Sequence, residues 1–133
     1  MAVSNIKAVF PCDLQTLWNI VTSLEQYSWR SDLSRIEVLD KDRFVEYTKE
    51  GYTTTFTTTM MDSCRRWEFD MDNDLMSGHW TGVFSREGGA AAIDFTENVT
   101  AKRLIMKPFV KSYLKKQQAA YVRDLGKEVE KRQ

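Results

Sequence analysis

The run from residue 108 to residue 133 constrains the fold most, because its pattern predicts one long helix with a single apolar side. The run has 26 residues and no proline after its first position, which corresponds to roughly 39 Å of α-helix at 1.5 Å per residue. At about 100° per residue, its larger apolar residues fall within an arc of about 160°. These residues are Phe109, Val110, Tyr113, Leu114, Ala120, Tyr121 and Leu125. We therefore expect the rest of the chain to cover this side of the helix.

The same arc contains polar residues, and these leave two interpretations open. Gln117, Asp124 and Glu128 lie inside it, and Tyr113 and Tyr121 bring hydroxyl groups to it. In one interpretation the helix is partly exposed and its polar residues reach solvent at the edges of the covered side. In the other, the helix forms the wall of a cavity that carries polar groups.

The first 33 residues predict a strand followed by two short helices. Residues 2–10 are partly β-branched and end at Pro11, which is typical of an edge strand. Asp13 stands at an N-cap position before apolar residues at helical spacing, so we expect a helix over 13–22. The stretch 24–33, which contains Tyr27 and Trp29 among polar residues, is consistent with a second short helix and a loop.

From Arg35 onward the hydrophobic pattern repeats every second residue, which predicts six successive β-strands. The first of these strands starts at Ile36, and the other five cover residues 44–49, 52–61, 66–71, 75–86 and 90–100. In the fourth of these, Trp67, Phe69 and Met71 alternate with charged residues. In the strand before it, one face carries Tyr52, Phe56 and Met60, while the opposite face carries Thr53, Thr55, Thr57 and Thr59.

These elements predict an α+β fold in one domain spanning 1–133. Strands joined by tight turns form an antiparallel sheet, and a sheet with one apolar face needs a cover. The C-terminal helix is the only predicted element large enough to provide it. We therefore expect a curved antiparallel sheet of about seven strands around a long C-terminal helix, with two short helices after the first strand.

Several short motifs, in their order along the chain, carry a family resemblance. The first motif is a strand that ends in a proline, at residues 8–11, followed by a helix at 17–21 that contains Trp18. The second is Trp29, which precedes the strand at 36–38. In the third, Gly88 and Gly89 lead into the alternating stretch 91–97. This arrangement resembles the START-like or SRPBCC superfamily, which has the helix-grip fold and includes polyketide cyclase-like proteins. The resemblance covers nearly the whole chain and implies a cavity for an apolar or amphipathic ligand between sheet and helix.

The charge balance and the cysteine count exclude several classes of function. Lys and Arg together number 19, as do Asp and Glu, so no net field favours nucleic acid and we expect no such partner. The basic residues of the C-terminal helix would suit an anionic membrane, but such a run is more typical of a solvated helix face. Cys12 and Cys64 lack metal-ligand spacing, so we expect no metal, and whether they form a disulfide stays open. The N-terminus lacks a signal-peptide pattern, which predicts a cytoplasmic protein.

No residue pattern indicates nucleophilic catalysis, so we assign no catalytic residues. His79 is the only histidine, strand alternation places it on the outer face, and no nucleophile motif adjoins it. No phosphate loop or dinucleotide fingerprint is present, so we expect no cofactor. Glu97 differs from the other acids because its position in the strand places it with Ile93 and Phe95 on the inner face. It is either a strand-end carboxylate that reaches water or a polar anchor for a ligand, with a raised pKa.

The inward-facing residues define the predicted ligand-binding site. They are Tyr52, Phe56, Trp67, Phe69, Trp80, Phe84, Phe95, Glu97, Tyr113, Gln117 and Tyr121. Because so many of them are large, they either line a pocket of several hundred Å³ or partly fill it, and we expect a narrow cavity.

The sequence thus predicts a module that binds a small apolar or amphipathic ligand, such as a lipid, a polyketide or an aromatic molecule. The family resemblance implies two alternatives, which the residues leave open. One is a polyketide cyclase or dehydratase-like enzyme without a nucleophile triad. The other is a protein-interaction module of the same fold.

Overall fold

A computed structural model describes residues 1–132 and contains seven strands and two α-helices in this part of the chain. The first half comprises β1 (Ala2–Phe10), α1 (Leu14–Thr22), β2 (Leu33–Val38), β3 (Arg43–Thr48) and β4 (Thr53–Asp62). The second half comprises β5 (Arg66–Asp72), β6 (Met76–Glu87), β7 (Ala90–Ala101), a 3₁₀ turn at Leu104–Met106 and α2 (Lys107–Lys131). The predicted α+β fold, with a seven-stranded sheet and a long C-terminal helix, is confirmed.

All seven strands form one antiparallel sheet in the order β1-β7-β6-β5-β4-β3-β2. The six strands after α1 therefore pair as a meander, in which each strand pairs with the next. β1 pairs with β7, from Ala2 opposite Val99 to Phe10 opposite Ala91. The N-terminal strand thus lies at an edge of the sheet, as its proline predicted.

The helix α1 begins as its sequence predicts and packs on β6 and β7. The side chain of Asp13 accepts a hydrogen bond from the backbone N–H of Thr16 at 2.7 Å, which satisfies one of the free donors of the first turn. Leu17 and Ile20 are fully buried, and Trp18 meets Phe84 of β6 edge-on at 4.9 Å. α1 therefore covers the end of β6 that lies away from the turn between β5 and β6.

The prediction of a second short helix after β1 is wrong, because residues 23–32 form turns without an α-helix. Ser23 ends α1 in an extended conformation, and its hydroxyl accepts a hydrogen bond from the N–H of Gln26 at 3.0 Å. Further along, the N–H of Arg30 bonds the carbonyl of Tyr27. Local hydrogen bonds of this kind compete with helix formation.

The inner face of β4 differs from the prediction at both ends of the strand. Phe56 is buried, whereas Met60 is 46% exposed and Tyr52 is 57% exposed. The pairing of β4 with β5 shifts register between Thr58 and Met60. Such an irregularity inserts an unpaired residue and moves the following side chains off their expected face. Tyr52 precedes the first residue of β4 and so does not follow the alternation of the strand.

The helix α2 lies against β1 and β7, at one side of the sheet. Its buried apolar residues are Val110, Leu114, Leu125 and Val129. Phe109 and Tyr113, which the sequence pattern placed on the covered side, are 62% and 48% exposed. The buried side is therefore rotated towards the residues at positions 114, 118 and 125. Over β3 to β6, the inner face of the sheet is left with little contact from the helix.

Two further observations bear on the predictions. Cys12 and Cys64 are both free thiols, so no disulfide joins them. Within residues 1–132, neither helix combines the length and the apolarity that crossing a bilayer requires. The prediction that the domain covers residues 1–133 includes Gln133, which lies outside the described residues, and it stays a prediction.

The surroundings of Gly82 and Gly126 predict opposite effects for alanine substitutions at the two positions. A Cβ at Gly82 would overlap the indole ring of Trp80, while a Cβ at Gly126 would lie 3.7 Å from Phe10, an ordinary contact distance. We expect Gly82→Ala to lower the free energy of unfolding by about 1–3 kcal/mol through overpacking. We expect Gly126→Ala, in the interior of α2, to raise it by up to about 1 kcal/mol. Urea denaturation of both variants measures the two changes in the free energy of unfolding. Changes of the same sign and size in both variants would contradict the described surroundings of the two glycines.

Candidate functional site

A cavity of about 540 Å³ lies between the inner face of the sheet and α2. The residues that line it come from all seven strands, the end of α1, the loop 23–32 and α2 as far as Asp124. Solvent-exposed lining residues mark the opening, which lies among the β3–β4 turn, the β5–β6 turn and the start of α2; these residues are Glu50, Tyr52, Asp74, Phe109 and Tyr113.

The wall on the sheet side is a continuous cluster of aromatic rings from neighbouring strands. Phe69 and Trp80 stack with centroids 4.6 Å apart and planes 6° from parallel. Trp80 in turn lies 4.7 Å from Phe95, and Phe44 stacks on Phe56 at 5.0 Å. Because each ring is fixed by ring contacts, the wall is rigid and apolar.

Ten of the eleven residues predicted for the site line this cavity. They are Tyr52, Phe56, Trp67, Phe69, Trp80, Phe95, Glu97, Tyr113, Gln117 and Tyr121. Phe84 does not, because it lies under α1 against Trp18 and is 3% exposed. The structure brings the ten together, while their role in ligand binding stays a prediction.

A partly buried ion-pair cluster that the sequence did not reveal lies at the wall formed by loop 23–32. Arg30 donates hydrogen bonds to both carboxylate oxygens of Glu46, at 2.9 and 3.3 Å, and to both of Asp32, at 3.3 and 3.1 Å. Its guanidinium carbon lies 5.0 Å from the ring centroid of Tyr121. Bidentate pairing in a protected site is strong, so this cluster fixes the loop against β3 and α2. No signal in the sequence identifies it, because Glu46 and Tyr121 are distant from Arg30 along the chain.

Glu97 carries the clearest sign of an unusual environment. It is partly buried, and its Oε2 atom is buried without a hydrogen-bond partner among the described residues. Burial and, to a smaller extent, the charge of Glu46 raise the pKa of its carboxyl to about 7, although Arg30 opposes both effects. The predicted raised pKa thus agrees with the geometry, and near neutral pH the carboxyl can either donate or accept a proton.

Trp29 holds a second buried polar atom without a hydrogen-bond partner among the described residues, its Nε1. The indole packs edge-on against Tyr121 at 5.2 Å, and Trp29 lines the cavity. This contact with Tyr121 anchors the loop 23–32 to α2. An unpaired buried N–H costs roughly 1–3 kcal/mol, so the cavity wall offers a donor as well as the carboxyl of Glu97.

Polar residues of α2 fasten the helix to its neighbours. Gln118 accepts a hydrogen bond from the hydroxyl of Ser4 at 2.7 Å and donates one to the Ser4 carbonyl at 3.1 Å. Asp124 accepts from the N–H and the hydroxyl of Ser31 at 2.9 and 2.7 Å. A further hydrogen bond lies within the helix, where Gln117 donates to the hydroxyl of Tyr113 at 3.3 Å.

Of the polar residues inside the predicted arc, Tyr113, Gln117, Tyr121 and Asp124 line the cavity, whereas Glu128 lies outside the lining and pairs with Arg132 at 2.9 Å. The cavity-wall interpretation therefore holds for the first four, and Glu128 fits the other interpretation.

His79 lies on the outer face of the sheet, as strand alternation predicted. Its ring nitrogens lie 2.7 Å from Asp70 and 2.7 Å from Glu68. The hydrogen bond to Asp70 and that to Glu68 raise the pKa of the imidazole, although partial burial opposes them. The residue belongs to a surface charge cluster with Arg66 and takes no part in the cavity.

Solved structures of low sequence identity share this fold. A START superfamily protein from Mycobacterium smegmatis matches with a TM-score of 0.90, over 98% of this chain and 99% of its own, at 12% identity. A conserved protein from Geobacillus kaustophilus matches at 0.83, over 97% and 95%, with 10% identity. DynU16, described as a protein in the dynemicin biosynthetic locus, matches at 0.78 over 98% of this chain and 48% of its own, at 9% identity. The predicted START-like helix-grip fold is confirmed.

No protein-family model matches the sequence, and no curated protein matches it. At identities of 9 to 12%, the comparison of structures establishes the fold alone. Any inference about the ligand or the activity must therefore come from the residues of the cavity.

The buried carboxyl of Glu97 predicts a specific dependence of stability on pH. Its pKa of about 7 in the folded protein exceeds the value of about 4.3 expected in the unfolded chain. The folded state therefore binds more protons, and stability falls as pH rises from the unfolded pKa to the folded pKa. At about 1.4 kcal/mol per pKa unit, the loss is roughly 2–4 kcal/mol.

We expect Glu97→Gln to remove this dependence. The variant will exceed the wild type in free energy of unfolding by roughly 2 kcal/mol or more at pH 8, and the difference will shrink towards pH 5. Urea titrations at both pH values measure it, with Glu25→Gln at an exposed position as the control. A difference that is the same at pH 5 and pH 8 would show that Glu97 is not titrating in this range.

Proposed function

We propose that this protein binds a small apolar or amphipathic molecule in the cavity between the sheet and α2. The observation that carries this proposal is the combination of a cavity of about 540 Å³ with an aromatic wall and buried polar atoms that have no hydrogen-bond partner within residues 1–132. Pockets for small molecules are commonly about 300–1,000 Å³ and mostly apolar, with few polar groups that set orientation.

The aromatic wall supplies the affinity for the apolar part of the ligand. A molecule that buries about 200 Å² of apolar surface gains roughly 5 kcal/mol, before the costs of association are subtracted. The stacked pair Phe69 and Trp80 lies next to Phe95 in this wall. A wall of aromatic side chains favours aromatic or polycyclic ligands, which pack against such rings edge-to-face or offset.

Glu97 and Trp29 supply the polar part of the site. Each contributes a buried atom without a hydrogen-bond partner in the described part of the chain. Such an atom carries a desolvation cost in the protein, which a hydrogen bond with the ligand relieves, donated by Trp29 or made with the carboxyl of Glu97. This supports an amphipathic molecule whose polar group lies at this end of the cavity.

The similar structures support the same function at a coarser level. The fold is that of a START superfamily protein, and the fold also occurs in DynU16, from the dynemicin biosynthetic locus. Both comparisons are consistent with ligand binding or with a polyketide cyclase-like role. These comparisons establish only the fold, so we infer the class of ligand from the residues of the cavity.

Catalysis in the same cavity is the second candidate. The observation that favours it is the pKa of Glu97, about 7, which suits a general acid or base at neutral pH. Incubation of a bound ligand with the protein, followed by mass spectrometry, tests it. Conversion by the wild type that is lost in Glu97→Gln supports an enzyme, and an unchanged ligand in both supports a binding protein.

A protein-interaction module of the same fold is less favoured, because the space between the sheet and α2 is an unfilled cavity.

A substitution that fills the cavity tests the proposed function. Ala120 lines the cavity on α2, whereas its neighbour Ala119 is exposed. We expect Ala120→Phe to weaken binding of the neutral dye N-phenyl-1-naphthylamine by at least about tenfold, or roughly 1.4 kcal/mol. We expect Ala119→Phe, the matched control, to bind the dye as the wild type does.

Fluorescence titration measures both affinities, and mass spectrometry of molecules that co-purify with the wild type then identifies the natural ligand. If the wild type fails to bind the dye, or if both phenylalanine variants bind it with wild-type affinity, the cavity is not the binding site.

A further inference from the structure

The charged residues that line the cavity are almost all acidic. Arg30 is the single basic residue among the described lining residues. The acidic ones are Asp32, Glu46, Glu50, Asp74, Glu97 and Asp124. This imbalance contrasts with the zero net charge of the whole chain, so it is a local property of the cavity.

Arg30 is not free to bind an anionic ligand. Its guanidinium already donates four hydrogen bonds to Asp32 and Glu46, and two carboxylates outnumber its one charge. A ligand carboxylate or phosphate would enter a region with excess negative charge and little water. The cavity therefore disfavours anions such as fatty acids.

Most of the carboxylates have partners or lie at the surface. Asp32 and Glu46 bond Arg30, and Asp124 accepts two hydrogen bonds from Ser31. Glu50 and Asp74 are exposed, on the turns at the opening. Glu97 is the exception, because its Oε2 is buried without a partner in residues 1–132.

We propose that the cavity selects ligands whose polar group is a protonated amine, with the ammonium donating a hydrogen bond to Glu97. This inference rests on the proposed function and names the chemical class of its ligand: an amine with an aromatic or other apolar body. A charge-assisted hydrogen bond would give Oε2 its missing partner. The aromatic faces of the cavity also attract a cation.

The proposal implies that affinity for an amine depends on pH. The other titratable groups that line the cavity are Tyr27, Arg30 and Asp32 on the loop, Glu46 on β3, and Tyr113, Tyr121 and Asp124 on α2, with Glu50, Tyr52 and Asp74 at the opening. Burial and, to a smaller extent, the negative charge of Glu46 favour the protonated carboxyl, and Arg30 opposes them. An ammonium favours the ionised carboxyl, so binding releases a proton where the carboxyl is protonated, and affinity rises from pH 6 to pH 8.

Three probes with one apolar body and different polar groups test the proposal. They are 2-naphthylmethylamine, 2-naphthalenemethanol and 2-naphthoic acid, which carry a cation, a neutral hydroxyl and an anion between pH 6 and pH 8. At pH 8 we expect the amine to bind the wild type about tenfold more tightly than the alcohol, as a charge-assisted hydrogen bond predicts, and the acid to bind most weakly. The advantage of the amine over the alcohol will narrow at pH 6.

Two variants assign the effect to Glu97. In Glu97→Gln we expect the amine to lose its advantage, while the alcohol keeps an affinity within about threefold of its wild-type value, which also shows that the variant is folded. Glu25→Gln removes one negative charge at an exposed position outside the cavity lining, and we expect it to retain the wild-type order.

The outcomes separate this inference from the proposed function. If the acid binds as tightly as the amine, or if the amine keeps its advantage in Glu97→Gln, the amine proposal is wrong while ligand binding stands. If none of the three probes and no neutral dye binds the wild type, the proposed function fails, and the amine proposal fails with it.

Discussion

The position of α2 against one side of the sheet is the constraint on which the rest of the structure depends. Gln118 and Ser4 join the helix to β1 through two buried hydrogen bonds, and Leu114, Leu125 and Val129 bury their side chains completely or nearly so. Because the helix lies over β1 and β7, it cannot also fill the space above β3 to β5. That space is the cavity, so the packing that stabilises the helix also creates the candidate site.

The walls of this cavity combine two kinds of interaction that differ in cost. The aromatic rings gain stability by packing against one another, and they leave an apolar surface for a ligand. The polar end carries an ion-pair cluster whose burial requires full pairing, which Arg30 achieves with Asp32 and Glu46. Glu97 stands outside this pairing. Burying its carboxyl without a partner destabilises the folded protein, which is consistent with a residue that forms its hydrogen bond only when a ligand is bound.

The sequence predicts the fold well, because alternation in the strands and helical spacing in α2 are local signals. Trp67 and Phe69 lie inward, and Asp13 caps α1. Most residues predicted for the site also lie together, because strand parity decides which face they occupy. Phe84 is the exception, since parity alone does not show that α1 covers it.

The remaining features depend on contacts between distant segments. Arg30 and Glu46 have no shared pattern in the sequence, so their ion pair is visible only in the structure. Gln118 lies on the buried side of α2, but an arc drawn through apolar residues turns towards the exposed Phe109 and misses it. The irregular pairing after Thr58 likewise has no sequence signal that we identified.

Intermolecular nuclear Overhauser effects from bound N-phenyl-1-naphthylamine test the central claim most directly. They report which protons lie within about 5 Å of the dye, so they locate it without assumptions about its chemistry. If the gap between sheet and helix is the binding site, the dye will show contacts to Trp80, Phe95 and Tyr121, all of which line the cavity. Contacts restricted to the exposed side chains of Leu104 and Ile105, or to the outer face around His79, would contradict the account.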